Sequence, residues 1–274
     1  MTTCLRNSWR FLLLLSCMIM LTVPPALAQQ KTSSQTRPCR QPPCVTRTGQ
    51  TIVDAKLPDD AAVERMLKPY GGKVRALNVV IGKLDGELRK SGIGAGSLGN
   101  FVTDGIRSQA SAKLGKPVLL AITNSGGLRK NTIAPGELRA SDIFELMPFE
   151  NALVQVELKG EDLLELLAVI LDSRDAQSGS KIQYRMKGEK AELVGAKFLD
   201  SLGLETDIDP NATYSLITID YLVNLASGRY AILQRGKNVT PLGITLRDAL
   251  MNYVKAETAA GRSIHATLDN RFVR

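Results

Sequence analysis

Histidine is nearly absent from this sequence, in which His265 is the only one among 274 residues. A two-metal phosphatase centre needs several His and Asp ligands that converge on the ions, so this composition excludes such a centre. A Ser-His-Asp triad is not indicated either, because no motif around His265 supplies a nucleophile for it. The phosphate-binding pattern G-x-x-x-x-G-K is also missing. We therefore predict no catalytic residue and interpret His265 as a solvated residue or a local hydrogen-bond donor.

Aromatic residues are scarce, at 5% of the chain, and the Lys and Arg residues are dispersed. Nucleic-acid-binding modules cluster basic side chains on one face, so we predict no nucleic acid partner. The formal charge is +8, and the first 28 residues hold two of the 35 basic and none of the 27 acidic residues. The remainder therefore carries 33 − 27 = +6. Such an excess favours solubility, attraction to anionic surfaces or steering of anionic ligands.

The N-terminal 28 residues have the pattern of a signal peptide. Arg6 and Arg10 precede an apolar stretch from Phe11 to Val23, and Ala26-Leu27-Ala28 forms an A-x-A cleavage site. The apolar stretch is shorter than the roughly 20 residues of a membrane span. We predict export to the periplasm or the extracellular space, with no stable membrane span after cleavage. An uncleaved anchor and a lipid attached at Cys17 are the alternatives.

Cysteine is rare as well, and removal of the signal would leave only Cys39 and Cys44. An even pair with four residues between them, in an exported protein, predicts a small disulfide loop. A metal site is the weaker interpretation, because no second Cys or His pair is present to complete a tetrahedron.

Composition divides the remaining chain in two. Residues 29–56 are rich in Gln, Thr, Ser, Pro and Arg and predict a disordered leader. Residues 57–274 have the composition and length of one globular domain. In that domain, hydrophobic periodicity predicts an early helix that begins near Asp60 and is stopped by Pro69 and Gly71-Gly72.

Further elements follow without a regular βα alternation. Strands are predicted within 75–90 and at 118–122, 154–158, 182–186, 193–198 and 214–218, and helices at 98–114, 160–171 and 246–259. This mixture predicts an α+β fold, a single domain with a mixed sheet and packed helices.

Three short motifs stand in a fixed order: Ser97-Leu98-Gly99-Asn100-Phe101, Asn124-Ser125-Gly126-Gly127-Leu128-Arg129 and Met147-Pro148-Phe149-Glu150-Asn151. In this order and spacing they resemble the C-terminal, substrate-binding domain of the 5'-nucleotidase family, over about residues 75–260. In that family a metallophosphatase domain precedes this one, and these 274 residues do not resemble it. The resemblance implies a hydrolase family and nucleotide catabolism.

The resemblance also implies a set of substrate-binding residues. Asn124 and Arg129 correspond to the family's ligand loop, whose glycines allow close approach, while Phe149 and Tyr221 correspond to the two aromatic residues that sandwich the base. The implied set is Asn124, Gly126, Gly127, Arg129, Phe149 and Tyr221. Without the family, Asn124 would close a turn, Arg129 would form a surface ion pair and Phe149 would be a core residue. Asn100 and Asp104 are interpreted as organising the ligand loop.

The chain departs from the family pattern at Asn224–Tyr230. Where the family has N-G-G-D-G-[FY], this sequence reads Asn-Leu-Ala-Ser-Gly-Arg-Tyr, without the paired glycines and the Asp that binds the nucleoside. A basic position upstream of Ser97 is also missing, since Gly92-Ile93-Gly94 lies there.

Two functions remain open. In the first, the chain binds nucleotides or nucleosides for extracytoplasmic nucleotide catabolism, while a separate metallophosphatase chain hydrolyses them. That partner would carry two divalent metals, whereas this chain would need no cofactor and would be inactive alone. In the alternative, it is a non-catalytic binding or scaffold protein with an eroded nucleotide pocket.

Overall fold

The computed structural model describes residues 52–54, 56–225 and 228–274. The contacts divide the chain between Pro58 and Asp59, and Asp59–Arg274 form one compact unit. The predicted signal, the Cys39–Cys44 disulfide and nearly all of the leader lie outside the described residues, and the proposed boundary at residue 57 stays a prediction. None of the helices in the described ranges is both long and apolar enough to cross a bilayer.

The described residues form helices and strands in a mixed order. The helices are α1 Ala61–Ala76, α2 Gly96–Leu114, α3 Ala140–Leu146, α4 Gly160–Asp172, α5 Asp220–Asn224 and α6 Leu246–Ala259. The strands are β1 Val80–Asp85, β2 Leu88–Arg89, β3 Leu120–Thr123, β4 Thr132–Ile133, β5 Gly136–Arg139, β6 Ala152–Lys159, β7 Ala176–Ser178, β8 Ser180–Lys187, β9 Lys190–Leu199, β10 Glu205–Asp207, β11 Thr213–Ile219, β12 Lys237–Thr245, β13 Ile264–His265 and β14 Phe272–Val273.

A five-stranded sheet in the order β12-β6-β11-β3-β7 forms the centre of the domain. β3 and β11 are parallel, and the other neighbours are antiparallel. Smaller sheets have the orders β13-β1-β5, β10-β9-β8-β14 and β2-β4. The predicted α+β class with a mixed sheet is therefore confirmed.

Helices α2, α4 and α6 supply most of the helical core. α2 packs against β3, β7 and α6, and α4 packs against β6, β9 and β11. Gly105 allows the close contact of α2 with α6, because a Cβ there would lie 2.7 Å from Leu250 Cδ1. The buried leucines of α4, such as Leu163 and Leu167, follow the helical spacing seen in the sequence.

The first motif has a structural role at the start of α2. Ser97 Oγ accepts a hydrogen bond from Arg89 N at 2.9 Å, and a Cβ on Gly99 would lie 2.0 Å from the carbonyl oxygen of Gly94. Asn100 and Asp104 do not organise the ligand loop, which corrects the interpretation above. Asn100 Nδ2 donates to the Thr267 carbonyl at 3.0 Å, and Asp104 pairs with buried Arg271, so both side chains hold the C-terminal segment.

The predicted end of α1 is also wrong. Asp60 caps the helix by accepting hydrogen bonds from Ala62 N and Val63 N, and the helix continues through Pro69 to Ala76. Proline removes one backbone donor, but on a fully solvated helix water can satisfy the freed carbonyl. The apolar side chains of this helix, Val63, Met66, Leu67, Tyr70 and Val74, are all exposed.

This contrast between α1 and α4 predicts different costs for the same substitution. Leu167 is 0% exposed, so Leu167→Ala should lower the free energy of unfolding by about 2–5 kcal/mol. Leu67 is 50% exposed, so Leu67→Ala should change it by less than about 0.5 kcal/mol. Urea denaturation measures both. A cost above about 2 kcal/mol for Leu67→Ala would show that α1 packs on the domain.

Candidate ligand-binding cleft

The sheet topology brings three chain segments to one edge of the central sheet. β3 and β11 run parallel, with Leu120 opposite Leu216, so their carboxyl ends meet at the same edge. β6 runs antiparallel to β11, with Leu153 opposite Ile219, so β6 begins where β11 ends. The residues after β3, after β11 and before β6 are consequently neighbours, as at many ligand sites beyond strand ends.

A cleft of about 230 Å³ opens at this edge. The structure brings all six sequence-predicted residues to its walls, together with one that was not predicted: Asn124, Gly126, Gly127, Arg129, Phe149, Asn151 and Tyr221. Asn151 is the last residue of the third motif, two positions after Phe149, and this closeness in sequence could have indicated that it lines the cleft. The role of these residues in binding stays a prediction.

The loop after β3 presents an amide side chain to the cleft. Ser125–Gly127 form one 3₁₀ turn, and Arg129 N donates to the Leu146 carbonyl at 2.9 Å. A Cβ on Gly127 would lie 3.3 Å from Asn124 Oδ1, a tight contact that glycine avoids. Asn124 Oδ1 is buried and accepts no hydrogen bond within the described part of the chain. Buried polar atoms usually have partners, so an acceptor without one is unusual at this position.

Arg129 and Phe149 form a second wall. The Arg129 guanidinium carbon lies 5.8 Å from the centre of the Phe149 ring, within cation–π range. Arg129 is exposed and forms no ion pair with any described carboxylate, so its charge is available to an anion.

The two predicted stacking residues both present their rings to solvent. Phe149 is 47% exposed and Tyr221 is 51% exposed. Phe149 is therefore not a core residue, which removes the alternative interpretation of that position. A half-exposed aromatic face beside a cleft can accept a planar ligand.

Two carboxylates behind the cleft join its walls. Asp220 Oδ1 accepts hydrogen bonds from Tyr221 N at 2.7 Å and from Ala152 N at 3.1 Å. Asp175, before β7, is 3% exposed and accepts a hydrogen bond from Ser125 N at 2.7 Å. Sequence reasoning missed both; Asp220 lies next to Tyr221, whereas nothing in the sequence marks Asp175.

Tyr230, the last residue of the altered loop at 224–230, is hydrogen-bonded to Asp175. Tyr230 is buried, and its hydroxyl donates a short hydrogen bond to Asp175 Oδ2. Burial raises the pKa of the Asp175 carboxyl, which the hydrogen bonds from Tyr230 and Ser125 oppose. Burial and the adjacent carboxylate raise the pKa of the Tyr230 hydroxyl. Tyr230 therefore serves as a neutral donor behind the cleft; of its loop, residues 226 and 227 are not described.

The single histidine lies elsewhere. His265 Nδ1 is 3.2 Å from Asp85 Oδ2, with both side chains exposed, and neither lines the cleft. Within the ranges that the structure describes, no three His, Cys, Asp or Glu side chains gather where they could hold a metal ion.

Comparison with known proteins gives related proteins that are much longer. An endonuclease, YhcR, of Bacillus subtilis is 28% identical over 75% of this chain but only 16% of its own length. An apyrase of Tabanus yao is 29% identical over 58% of this chain and 32% of its own. The chain thus spans no more than a third of either relative.

A solved structure shares the fold. The crystal structure of a 5'-nucleotidase precursor from Thermus thermophilus aligns with a TM-score of 0.63 and 23% identity, over 79% of this chain and 43% of the other. The family model for the 5'-nucleotidase C-terminal domain matches residues 75–235, which is 161 of 274 residues. The match contains all three motifs and every residue that lines the cleft, and this chain accordingly belongs to the 5'-nucleotidase C-terminal domain family.

Proposed function

We propose that this protein binds nucleotides or nucleosides for extracytoplasmic nucleotide catabolism, and that a separate metallophosphatase chain performs the hydrolysis. The observation that carries the proposal is the composition of one cleft: two half-exposed aromatic rings, an arginine without an ion pair to any described carboxylate, and a buried amide oxygen without a described donor. The N-terminal signal pattern supports the extracytoplasmic location.

Each group matches one part of a nucleotide. A base can stack on Phe149 or Tyr221, which is worth about 1–3 kcal/mol per base. The Arg129 guanidinium can donate two parallel hydrogen bonds to phosphate or ribose oxygens. Asn124 Oδ1 can accept from a ribose hydroxyl or an amino group on the base. The mature charge of +6, from 33 basic and 27 acidic residues, would steer anionic ligands toward the protein.

The size of the cleft argues for weak binding. Its volume of about 230 Å³ is below the ~300–1,000 Å³ of pockets that enclose drug-sized ligands. Much of the contact energy is offset by ordering of the ligand and of the half-exposed side chains. We expect dissociation constants on the order of 0.1–1 mM.

The partner part of the proposal depends on residue chemistry. A dimetal centre needs several imidazole and carboxylate ligands, and the single imidazole here pairs with Asp85 away from the cleft. The metallophosphatase would supply both divalent metals, and this chain would supply substrate recognition.

A specific observation favours the alternative, a binding or scaffold protein with an eroded pocket. The family's nucleoside-binding Asp has no counterpart in 224–230, and the Tyr230 hydroxyl is occupied by Asp175. Tight nucleoside recognition then lacks one polar contact. Direct measurement of binding separates the two functions.

The first test is binding of AMP and adenosine to residues 29–274, by calorimetry or ligand-detected NMR. Arg129→Ala should weaken AMP by about tenfold, equal to 1.4 kcal/mol, and adenosine much less, if the guanidinium meets phosphate. Phe149→Ala should weaken both ligands. Arg185→Ala is the matched control, because Arg185 is an exposed arginine paired with Glu192 on β8 and β9. No binding of either ligand at millimolar concentration would favour the scaffold function.

The second test is hydrolysis. The purified chain should release no phosphate from AMP, UDP-sugars or simple phosphate esters with added Mn²⁺, Co²⁺ or Zn²⁺. A phosphate-release assay before and after repurification separates contamination from intrinsic activity. Metal-dependent turnover that persists through repurification and is lost in a variant such as His265→Ala would reject the partner model.

A further inference from the structure

The cleft is assembled from segments that are far apart in sequence. Its lining residues come from the segments 124–129 and 149–151 and from Tyr221, and Tyr230 lies behind it. Loops at strand ends are ordinarily the most mobile parts of a domain. A weak ligand cannot also supply the energy to order several loops, so their arrangement must be fixed beforehand.

We propose that Asp220 and Asp175 are positioning residues that fix these walls before the ligand arrives. The inference rests on the proposed function, since it concerns the same cleft. Neither carboxylate lines the cleft, so each would act through the groups that it holds.

Asp220 joins the two aromatic walls. Its Oδ1 accepts from the amide of Tyr221 and from the amide of Ala152, 68 residues away in sequence. Ala152 directly follows the Phe149–Asn151 segment. The same segment is held from its other side, where the Asn151 carbonyl accepts from Leu246 N at 2.8 Å. The backbones that carry Phe149 and Tyr221 are therefore tied through one oxygen atom.

Asp175 joins the ligand loop to the altered 224–230 loop. Oδ1 accepts from Ser125 N, the first residue of the turn between Asn124 and Arg129, and Oδ2 accepts from the Tyr230 hydroxyl. A carboxylate this deeply buried is costly unless it is hydrogen-bonded, so both donors are needed. The Tyr230 side chain thus supports the ligand loop at a distance, a role that needs its hydroxyl.

The test compares Asp220→Ala and Tyr230→Phe with controls at the opposite edge of the sheet. Tyr214, at the start of β11, accepts from Asp209 N through its hydroxyl, and Asp209 Oδ1 accepts from Asn211 N. Tyr214→Phe and Asp209→Ala therefore remove the same chemical groups far from the cleft. Asp220→Asn keeps one acceptor oxygen and serves as the conservative rescue.

Amide hydrogen exchange of the ligand-free protein is the first readout. Asp220→Ala should speed exchange at Ala152 and Tyr221 by about tenfold or more, and Tyr230→Phe should do so at Ser125. Asp220→Asn should restore slow exchange at Ala152 and Tyr221, and neither control should alter the three amides. Unchanged exchange at these amides in both cleft variants would overturn the proposal.

The second readout is the affinity for AMP. Asp220→Ala and Tyr230→Phe should weaken it about fivefold, because the free energy of binding must then also cover the ordering of the cleft loops. The controls should leave it within about twofold even where their melting temperatures fall equally. If the controls weaken AMP binding equally, the two carboxylates act only by stabilising the whole domain, and the proposal is overturned. If the wild-type protein does not bind AMP, the proposed function fails, and hydrogen exchange alone decides the positioning role.

Discussion

The parallel pairing of β3 with β11 is the constraint on which the rest of this structure depends. Both strands are buried where they pair, and this pairing, with Leu120 opposite Leu216, sends two loops from the same edge of the sheet. Antiparallel β6 and β7 flank this pair and begin at that edge. Four connections consequently crowd one end of the sheet, and each must satisfy its backbone donors there without a strand partner. Asp175 directly precedes β7 and Asp220 directly follows β11, and their carboxylates accept hydrogen bonds from three backbone amides at this end of the sheet.

The chemistry of the cleft follows from this crowding. The carboxylates of Asp175 and Asp220 lie behind the walls of the cleft. The side chains that line it are two aromatic rings, one guanidinium and two amides. Burial raises the pKa of the Asp175 carboxyl, and the hydrogen bonds from Ser125 and Tyr230 oppose this rise. The arrangement links the ligand loop to the loop in which the chain departs from its family. Tyr230 and Ser125, the residue that follows Asn124, thus share one hydrogen-bond acceptor.

Much of the fold was predictable because local patterns and global packing agree. The apolar faces of α4 and α6 and the continuous apolar run of β3 predicted their own burial, and their bounds differ from the structure by a few residues. The exceptions have physical causes. α1 passes through Pro69 because its solvated surface tolerates a missing hydrogen bond, whereas a buried helix would not. Asn100 and Asp104 hold the C-terminal segment, since the residues that follow His265 return to α2 and place Arg271 against Asp104.

The sequence by itself determined the fold class and, through its motifs and the Tyr221 position, six of the seven residues that line the cleft. It also predicts that these 274 residues do not build a dimetal centre, because one histidine cannot supply the imidazole ligands. Only the tertiary structure decided that Phe149 is exposed rather than buried, and that Asp175 and Asp220 join the walls of the cleft. The physical reason is range. Helical and strand periodicity depends on residues that are close in sequence. Asp175 and Ser125 are hydrogen-bonded although they are 50 residues apart, and Asp220 and Ala152 although they are 68 apart. Such contacts depend on strand order, which no local pattern contains.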